Sequence, residues 1–131
     1  MLLAIHHVAI ICADYQRSKH FYSELLGLKI LAEHYRAERQ SYKLDLQLPD
    51  GSQLELFSFV GAPPRPSRPE AQGLRHLSFA VLDVPKTVAW LQQAGIEVEP
   101  IRIDPYTGAA FTFFADPDGL PLEIYQRPVI N

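Results

Sequence analysis

A single cysteine, Cys12, is present among the 131 residues, so no disulfide can form within the chain. A reducing cytoplasm is therefore the expected setting, and Cys12 reads as a small buried core residue rather than a nucleophile. There is no excess of positive charge either. Twelve Lys and Arg stand against 15 Asp and Glu, a formal net charge of −3. That balance gives no support to nucleic-acid binding, which needs a concentrated basic face. Long apolar runs are also missing. The nearest, "LLAIHHVAIIC", is broken by two histidines and is too short to cross a bilayer, so no membrane partner is expected. With no positively charged stretch before it, a secretory signal is not expected either. The length suits one compact domain with a real core and is too short for two independent ones.

What is present is a sequence written twice. "PDGSQLELF" from Pro49 returns as "PDGLPLEIY" from Pro117, and "HVAIICADYQRSKHFYSELLGLKI" from His7 returns as "HLSFAVLDVPKTVAWLQQAGIEV" from His76. His7, Asp14 and Phe21 recur 69 positions on as His76, Asp83 and Trp90. Gly27 and Glu55 recur 68 positions on as Gly95 and Glu123, so a one-residue indel lies inside the repeat. Such a repeat points to duplication of one supersecondary unit.

Each unit reads as strand, helix, strand, strand, strand. Residues 5–12 and 75–82 are short aliphatic, β-branched runs and so strands. Asp14 and Asp83 then occupy helix N-cap positions, with Pro85 in a first turn, where proline is tolerated. Phe21, Leu25 and Leu26 form one helical stripe and Val84, Val88 and Leu91 the other, closed by Gly27 and Gly95 as left-handed caps. Further strands are expected at 28–35, 42–48 and 53–59, and at 96–103, 111–115 and 121–126, with Asp50-Gly51 and Asp118-Gly119 as turns. The expected fold class is α+β: one domain over residues 1–131, built from a first βαβββ unit at about 1–60, a proline-rich connector at 61–73 and a second unit at about 74–131. Arg65 and Arg68 in that connector read chiefly as solvated residues, with contact to an anionic substrate as the less favoured alternative.

Alternation along a strand places side chains on opposite faces. His7 shares a face with Ile5, Ala9 and Ile11. Glu55 and Glu123 are each flanked by aliphatic residues that face the helix, so both carboxylates face the other way. If the two units pack with pseudo-twofold symmetry, His7, Glu55, His76 and Glu123 meet at one centre. Two buried carboxylates without partners would be costly and would otherwise take up protons. A divalent cation removes the difficulty, since two neutral imidazoles and two carboxylates carry a charge of about −2. A nitrogen and oxygen donor set of this kind suits nickel, cobalt, zinc or manganese without choosing among them. His6 is the rival to His7, and both the repeat and the face alternation favour His7. His20 and His34 have no counterparts in the second half and read as surface residues.

At these residues the chain resembles the vicinal oxygen chelate superfamily, the glyoxalase I, bleomycin resistance and dioxygenase fold. The resemblance rests on "HHVAI", "LELF", "LRHLSF" and "DPDGLPLEIY" and is closest to small glyoxalase-like proteins of the YaeR type. It implies two βαβββ units whose curved sheets form a cup-shaped mixed sheet around a metal. One divalent ion per site would be held by His7, Glu55, His76 and Glu123. It also implies a homodimer with that site at the subunit interface. The full His/Glu/His/Glu set is most similar to glyoxalase I, whereas the dioxygenases use two histidines and one glutamate. The implied function is a metal-dependent lyase or isomerase acting on a small α-oxo or α-hydroxy carbonyl compound or its thiol adduct. The metal would stabilise an enediolate, and Glu123, with Glu55 as second choice, would move the proton. Alternatives within the superfamily are an epimerase, a thiol transferase, or a non-catalytic small-molecule binding or resistance protein. Ile11, Phe59 and "PYTGAAF" stand where bacterial glyoxalase I carries glutathione-holding Arg, Asn and Lys, so the thiol grip is not evident. Arg102, Tyr106 and Thr107 are alternative candidates to line the pocket.

Overall fold

A computed structural model describes residues 1–128. It divides the chain into two compact units, residues 1–64 and 65–131, each carrying its own four-stranded sheet.

The first unit runs β1 (His7–Cys12), α1 (Tyr15–Lys19), β2 (Lys29–Arg36), β3 (Ser41–Gln47) and β4 (Gln53–Ser58). Its strand order is β1-β4-β3-β2, with β1 parallel to β4 and the other pairs antiparallel. A parallel pair cannot be joined by a hairpin, so the chain must leave the edge, cross as a helix and return. The second unit repeats the plan with β5 (Leu77–Val81), α2 (Val84–Gln93), β6 (Arg102–Ile103), β7 (Ala110–Ala115) and β8 (Pro121–Gln126), in the order β5-β8-β7-β6. The expected strand, helix and three-strand unit is thus present twice. Among the described residues, no helix is long and apolar enough to cross a membrane.

Alternation decides what each sheet buries. In the first unit Ile10, Cys12, Leu44, Leu46, Leu54 and Leu56 are buried, and Tyr15, Phe21 and Tyr22 close over them from the helical segment. In the second unit Thr112, Phe114, Leu122 and Ile124 are buried beneath Val84 and Leu91 of α2, which packs on β7 and β8. The residues between them turn to the opposite face, where both glutamates lie. His20 and His34 are exposed, as expected of residues outside the repeat.

Both helices begin as the sequence suggests: the Asp14 carboxylate accepts the Arg17 N–H at 3.1 Å and the Asp83 carboxylate accepts the Lys86 N–H at 2.9 Å. They differ at the far end. Residues His20–Leu25 wind as a π-helix, and the Leu26 N–H reaches back five residues to Phe21 at 2.9 Å. This wider turn lies where the repeat gains its extra residue, between the Phe21/Trp90 and Gly27/Gly95 pairs. The bond that closes the cap shows the same shift, running from Ile96 to Leu91 in the second unit and from Leu28 to Tyr22 in the first. A π-turn absorbs one residue without moving what flanks it. Gly27 and Gly95 follow with φ of +74° and +82°, a left-handed conformation that residues with a Cβ adopt at a cost.

One expectation is corrected. The strand at 96–103 pairs only at Arg102–Ile103. Pro100 has no N–H to give to a ladder, and the buried Thr112 hydroxyl faces the Glu99 and Pro100 carbonyls at 2.8 and 3.2 Å. The segment stays beside β7 through the Glu99 N–H, 3.0 Å from the Phe113 carbonyl.

Two outcomes check this packing. Leu122→Ala, at a site with no exposed surface, should cost about 2–5 kcal/mol in urea unfolding. A loss below about 1 kcal/mol would contradict the core described. The second concerns Glu33, whose carboxyl lies below its ordinary value of 4.5 because of Lys19, 2.7 Å away, and then the Tyr15 hydroxyl. A depressed carboxyl stabilises the fold above its unfolded value, and the contribution disappears as pH falls. Glu33→Gln should therefore flatten the acid limb of Tm against pH and leave the slope near neutrality unchanged.

Candidate functional site

The first His–Glu pair is set by strand register. Ala9 is level with Glu55 in the parallel β1–β4 ladder, which puts His7, two residues earlier on the same face, diagonally beside that carboxylate. His7 Nε2 lies 3.4 Å from Glu55 Oε2, and the Glu55 side chain is 14% exposed between buried Leu54 and Leu56. His6 does not compete for this position. One of its ring nitrogens, Nδ1, meets Nδ1 of His7 at 2.9 Å, leaving His7 Nε2 directed to the glutamate.

The second pair has the same construction. Ser78 is level with Glu123 in the β5–β8 ladder, and His76 stands two residues earlier. His76 Nε2 lies 3.6 Å from Glu123 Oε1, whose side chain is 13% exposed. Among the described residues, neither unit gathers three or more His, Cys, Asp or Glu side chains of the kind that hold a metal ion. Each unit supplies one imidazole nitrogen and one carboxylate oxygen.

The surroundings of the two pairs are unlike. On β3, Asp45 faces Glu55 across the ladder, and Lys43 Nζ lies 2.9 Å from Asp45 and 3.7 Å from Glu55. In the second unit the residue facing Glu123 is Phe113, whose ring meets His76 edge-on at 5.0 Å. Phe111 and Tyr125 extend that aromatic surface, and the Arg102 guanidinium lies 5.1 and 5.4 Å from the Phe111 and Phe113 ring centres. Among the described residues Glu123 has no ion-pair partner but His76, whereas Glu55 also has Lys43.

The remaining candidates separate. Arg102 and His76 both line a cavity of about 250 Å³ that Tyr106 and Thr107 do not reach. A larger cavity, of about 1140 Å³, lies between residues 67–70 and 95–99 and touches neither His76 nor Glu123, so its size carries no chemical implication. Arg65 serves the connector itself: it donates to the Ser67 hydroxyl at 3.0 Å and to the Leu74 and Arg75 carbonyls at 3.1 Å. Arg68 is exposed.

Tyr125 was not singled out from the sequence, though it lies two residues beyond Glu123 and alternation puts it on the same face. Its hydroxyl donates to Asp104 Oδ2 at 2.9 Å and contacts the Thr107 hydroxyl. The Asp104 carboxyl is held below its ordinary range, first by the Tyr106 N–H and next by Tyr125. Tyr125 thereby ties the 104–108 loop to the strand that carries Glu123. Alternation along β3 puts Lys43 and Asp45 on one face, and the register of β3 against β4 makes them neighbours of Glu55.

The glyoxalase/bleomycin resistance protein/dioxygenase superfamily model matches residues 4–124. The chain is 57% identical to protein YwkD of Bacillus subtilis (strain 168), across 97% of this chain and 99% of that protein. It is 53% identical to protein YaeR of Escherichia coli (strain K12), across 96% and 98%. Among solved structures, a glyoxalase family protein from Enterococcus faecalis superposes with a TM-score of 0.88 at 50% identity, across 94% of this chain and 97% of that one. More distantly, a 2-epi-5-epi-valiolone epimerase from Actinomyces sp is 29% identical across 96% of this chain and 80% of that protein. Glyoxalase I from Zea mays, at 21% identity, a TM-score of 0.80 and coverage of 95% and 45%, shares the fold.

Tyr125→Phe should leave the sheet intact and release the loop. The Tyr106 and Gly108 amides should exchange with deuterium at least about tenfold faster, with global stability lowered by roughly 1 kcal/mol. Unchanged exchange at those amides would mean that Tyr125 does not hold the loop.

Proposed function

Because the chain belongs to the glyoxalase/bleomycin resistance protein/dioxygenase superfamily, we propose that it is a metal-dependent enzyme. Its proposed reaction moves a proton at a carbon beside a carbonyl on a small α-oxo or α-hydroxy compound or its thiol adduct. The observation that carries this reading is the His–Glu pair built twice at equal register, with nitrogen–oxygen separations of 3.4 and 3.6 Å. Two donors each about 2.1 Å from a first-row cation lie roughly 3.0–3.4 Å apart, so each pair fits a shared ion with little movement. Glu123 fits the same role on charge. It is a mostly buried carboxylate facing an aromatic ring, with an imidazole beside it, and an anion so placed needs a cation.

In this proposal His7, Glu55, His76 and Glu123 hold one divalent ion per site, drawn from nickel, cobalt, zinc or manganese. When bound, the ion supplies a Lewis acid for the negative charge that develops on a substrate oxygen. The chain's residues do the rest. Glu123 takes the proton from carbon and returns it, with Glu55 as second choice, while Phe111 and Phe113 keep water from the face where this happens. Lys43 steadies the charge of Glu55 and Asp45 and so favours a holding role for that side. The two pairs come together in a homodimer, with the first unit of one chain completing the second unit of its partner.

An isomerising lyase and an epimerase begin with the same proton transfer. The epimerase reading draws support from the Actinomyces relative. Deuterium uptake at a substrate carbon without thioester formation would favour epimerisation. Thioester formation from methylglyoxal and glutathione would favour the lyase, and its absence would remove the glutathione-dependent form.

Metal analysis tests the site before any substrate is known. Protein as isolated should carry one divalent ion per chain, and His7→Ala and Glu123→Gln should each weaken metal binding by at least about tenfold, since losing an outer-shell partner alone costs that much. Mixing those two variants should restore binding, because a hybrid dimer would own one site with all four donors. Full metal content in both variants would end the proposal, and no recovery on mixing would place the whole site within one chain.

A further inference from the structure

The cavity beside His76 has a charge pattern that the metal reading does not require. Arg65, Arg75 and Arg102 line it against Glu70 and Glu99, leaving an excess of one positive charge. Arg75 is matched by Glu70 at 3.2 Å. Arg65 is occupied by two carbonyls and a hydroxyl, and among the described residues no carboxylate pairs with it. Arg102 differs from both. Its nearest carboxylate oxygen belongs to Glu99 at 3.7 Å, and the two side chains are 52% and 59% exposed, a pairing that water screens to near insignificance.

What fixes Arg102 is aromatic. It stands level with Phe111 in the β6–β7 ladder, and its guanidinium lies near the rings of both Phe111 and Phe113. Phe113 in turn carries His76 against its edge. One ring therefore separates a proposed metal ligand from an ordered cation whose donors are not consumed. The positions equivalent to Phe111 and Phe113 in the first unit hold Lys43 and Asp45, so the aromatic support of Arg102 does not come from the duplication.

We propose that this cavity is an oxyanion subsite in which Arg102 binds a carboxylate or phosphoryl group of the substrate, so that the site acts on acidic carbonyl compounds. This rests on the metal reading for the position of the reacting end and on the Arg102 geometry for the charged end. The guanidinium presents a planar fork that matches either oxyanion, and its position over two aromatic rings reduces the ordering it must undergo on binding. A volume of about 250 Å³ accommodates a small acid. Arg102 is a specificity-determining residue in this account and takes no part in the proton transfer.

The test uses three hydroxamates, which chelate a metal through the same group and differ at the far end. Acetohydroxamate is neutral there, malonic monohydroxamate carries a carboxylate and phosphonoacetohydroxamate carries a phosphonate. On metal-loaded protein, calorimetry should find at least one charged probe about tenfold or more tighter than acetohydroxamate. The tighter of the two charged probes identifies the natural group. Arg102→Gln should abolish the preference while leaving acetohydroxamate affinity unchanged, and Arg102→Lys should restore part of it. Equal affinities in the natural protein, or a preference that survives Arg102→Gln, would overturn the subsite. Failure of all three probes on protein that retains its metal would overturn it as well. A chain that takes up no metal would instead refute the metal reading. The subsite is then judged by whether phosphonoacetate shifts the Arg102 Nε–H resonance in metal-free protein. No shift would overturn it on its own.

Discussion

A carboxylate in the middle of a strand, mostly shielded from water, is the constraint around which each unit is arranged. Glu55 and Glu123 retain only 14% and 13% of their side-chain exposure, each between two buried aliphatic neighbours on its strand. Each is answered by an imidazole from a neighbouring strand, and that answer depends on parallel pairing. Only when the first strand of a unit lies beside the fourth, level at Ala9/Glu55 and Ser78/Glu123, does a histidine two residues earlier reach the acid. Parallel pairing in turn demands a crossover, and a helix supplies it in both units. The backbone plan and the chemistry of the pair are thus one requirement seen at two scales.

Duplication then permits divergence. The first copy surrounds its glutamate with Lys43 and Asp45, and the second surrounds its own with Phe111, Phe113 and Tyr125. A polar flank suits a residue that only holds a charge. In the proposed reaction an aromatic flank suits one that acts on a carbon, where water would compete. The extra residue in the first helical segment belongs to the same divergence. It is accommodated by a π-turn at His20–Leu25, which keeps the Asp14 cap and the Gly27 exit in place and so leaves the strand carrying His7 undisturbed.

Much of this was legible in the chain. The repeat, both N-caps, the two left-handed glycines and the orientation of the glutamates follow from spacing and alternation, because those signals act over a few residues. The full strand expected at 96–103 does not form, since Pro100 removes a donor and Thr112 takes the adjoining carbonyls, a contact between segments more than ten residues apart. The indel could be counted, yet its form as a π-turn could not be read from the residues that surround it. Arg102 was one candidate among several until its place over two aromatic rings was seen.

By itself the sequence determined which residues alternate, where helices start and stop, and that one histidine and one glutamate recur together. Those are local properties, carried by backbone dihedral preference and the two-residue period of a strand. Tertiary structure alone decided how near His7 comes to its glutamate, that Lys43 stands beside one acid and Phe113 beside the other, and that Arg102 is held by aromatic rings. Each of these depends on which strands become neighbours and in what register. Register is a long-range outcome of packing, and no short stretch of the chain contains it.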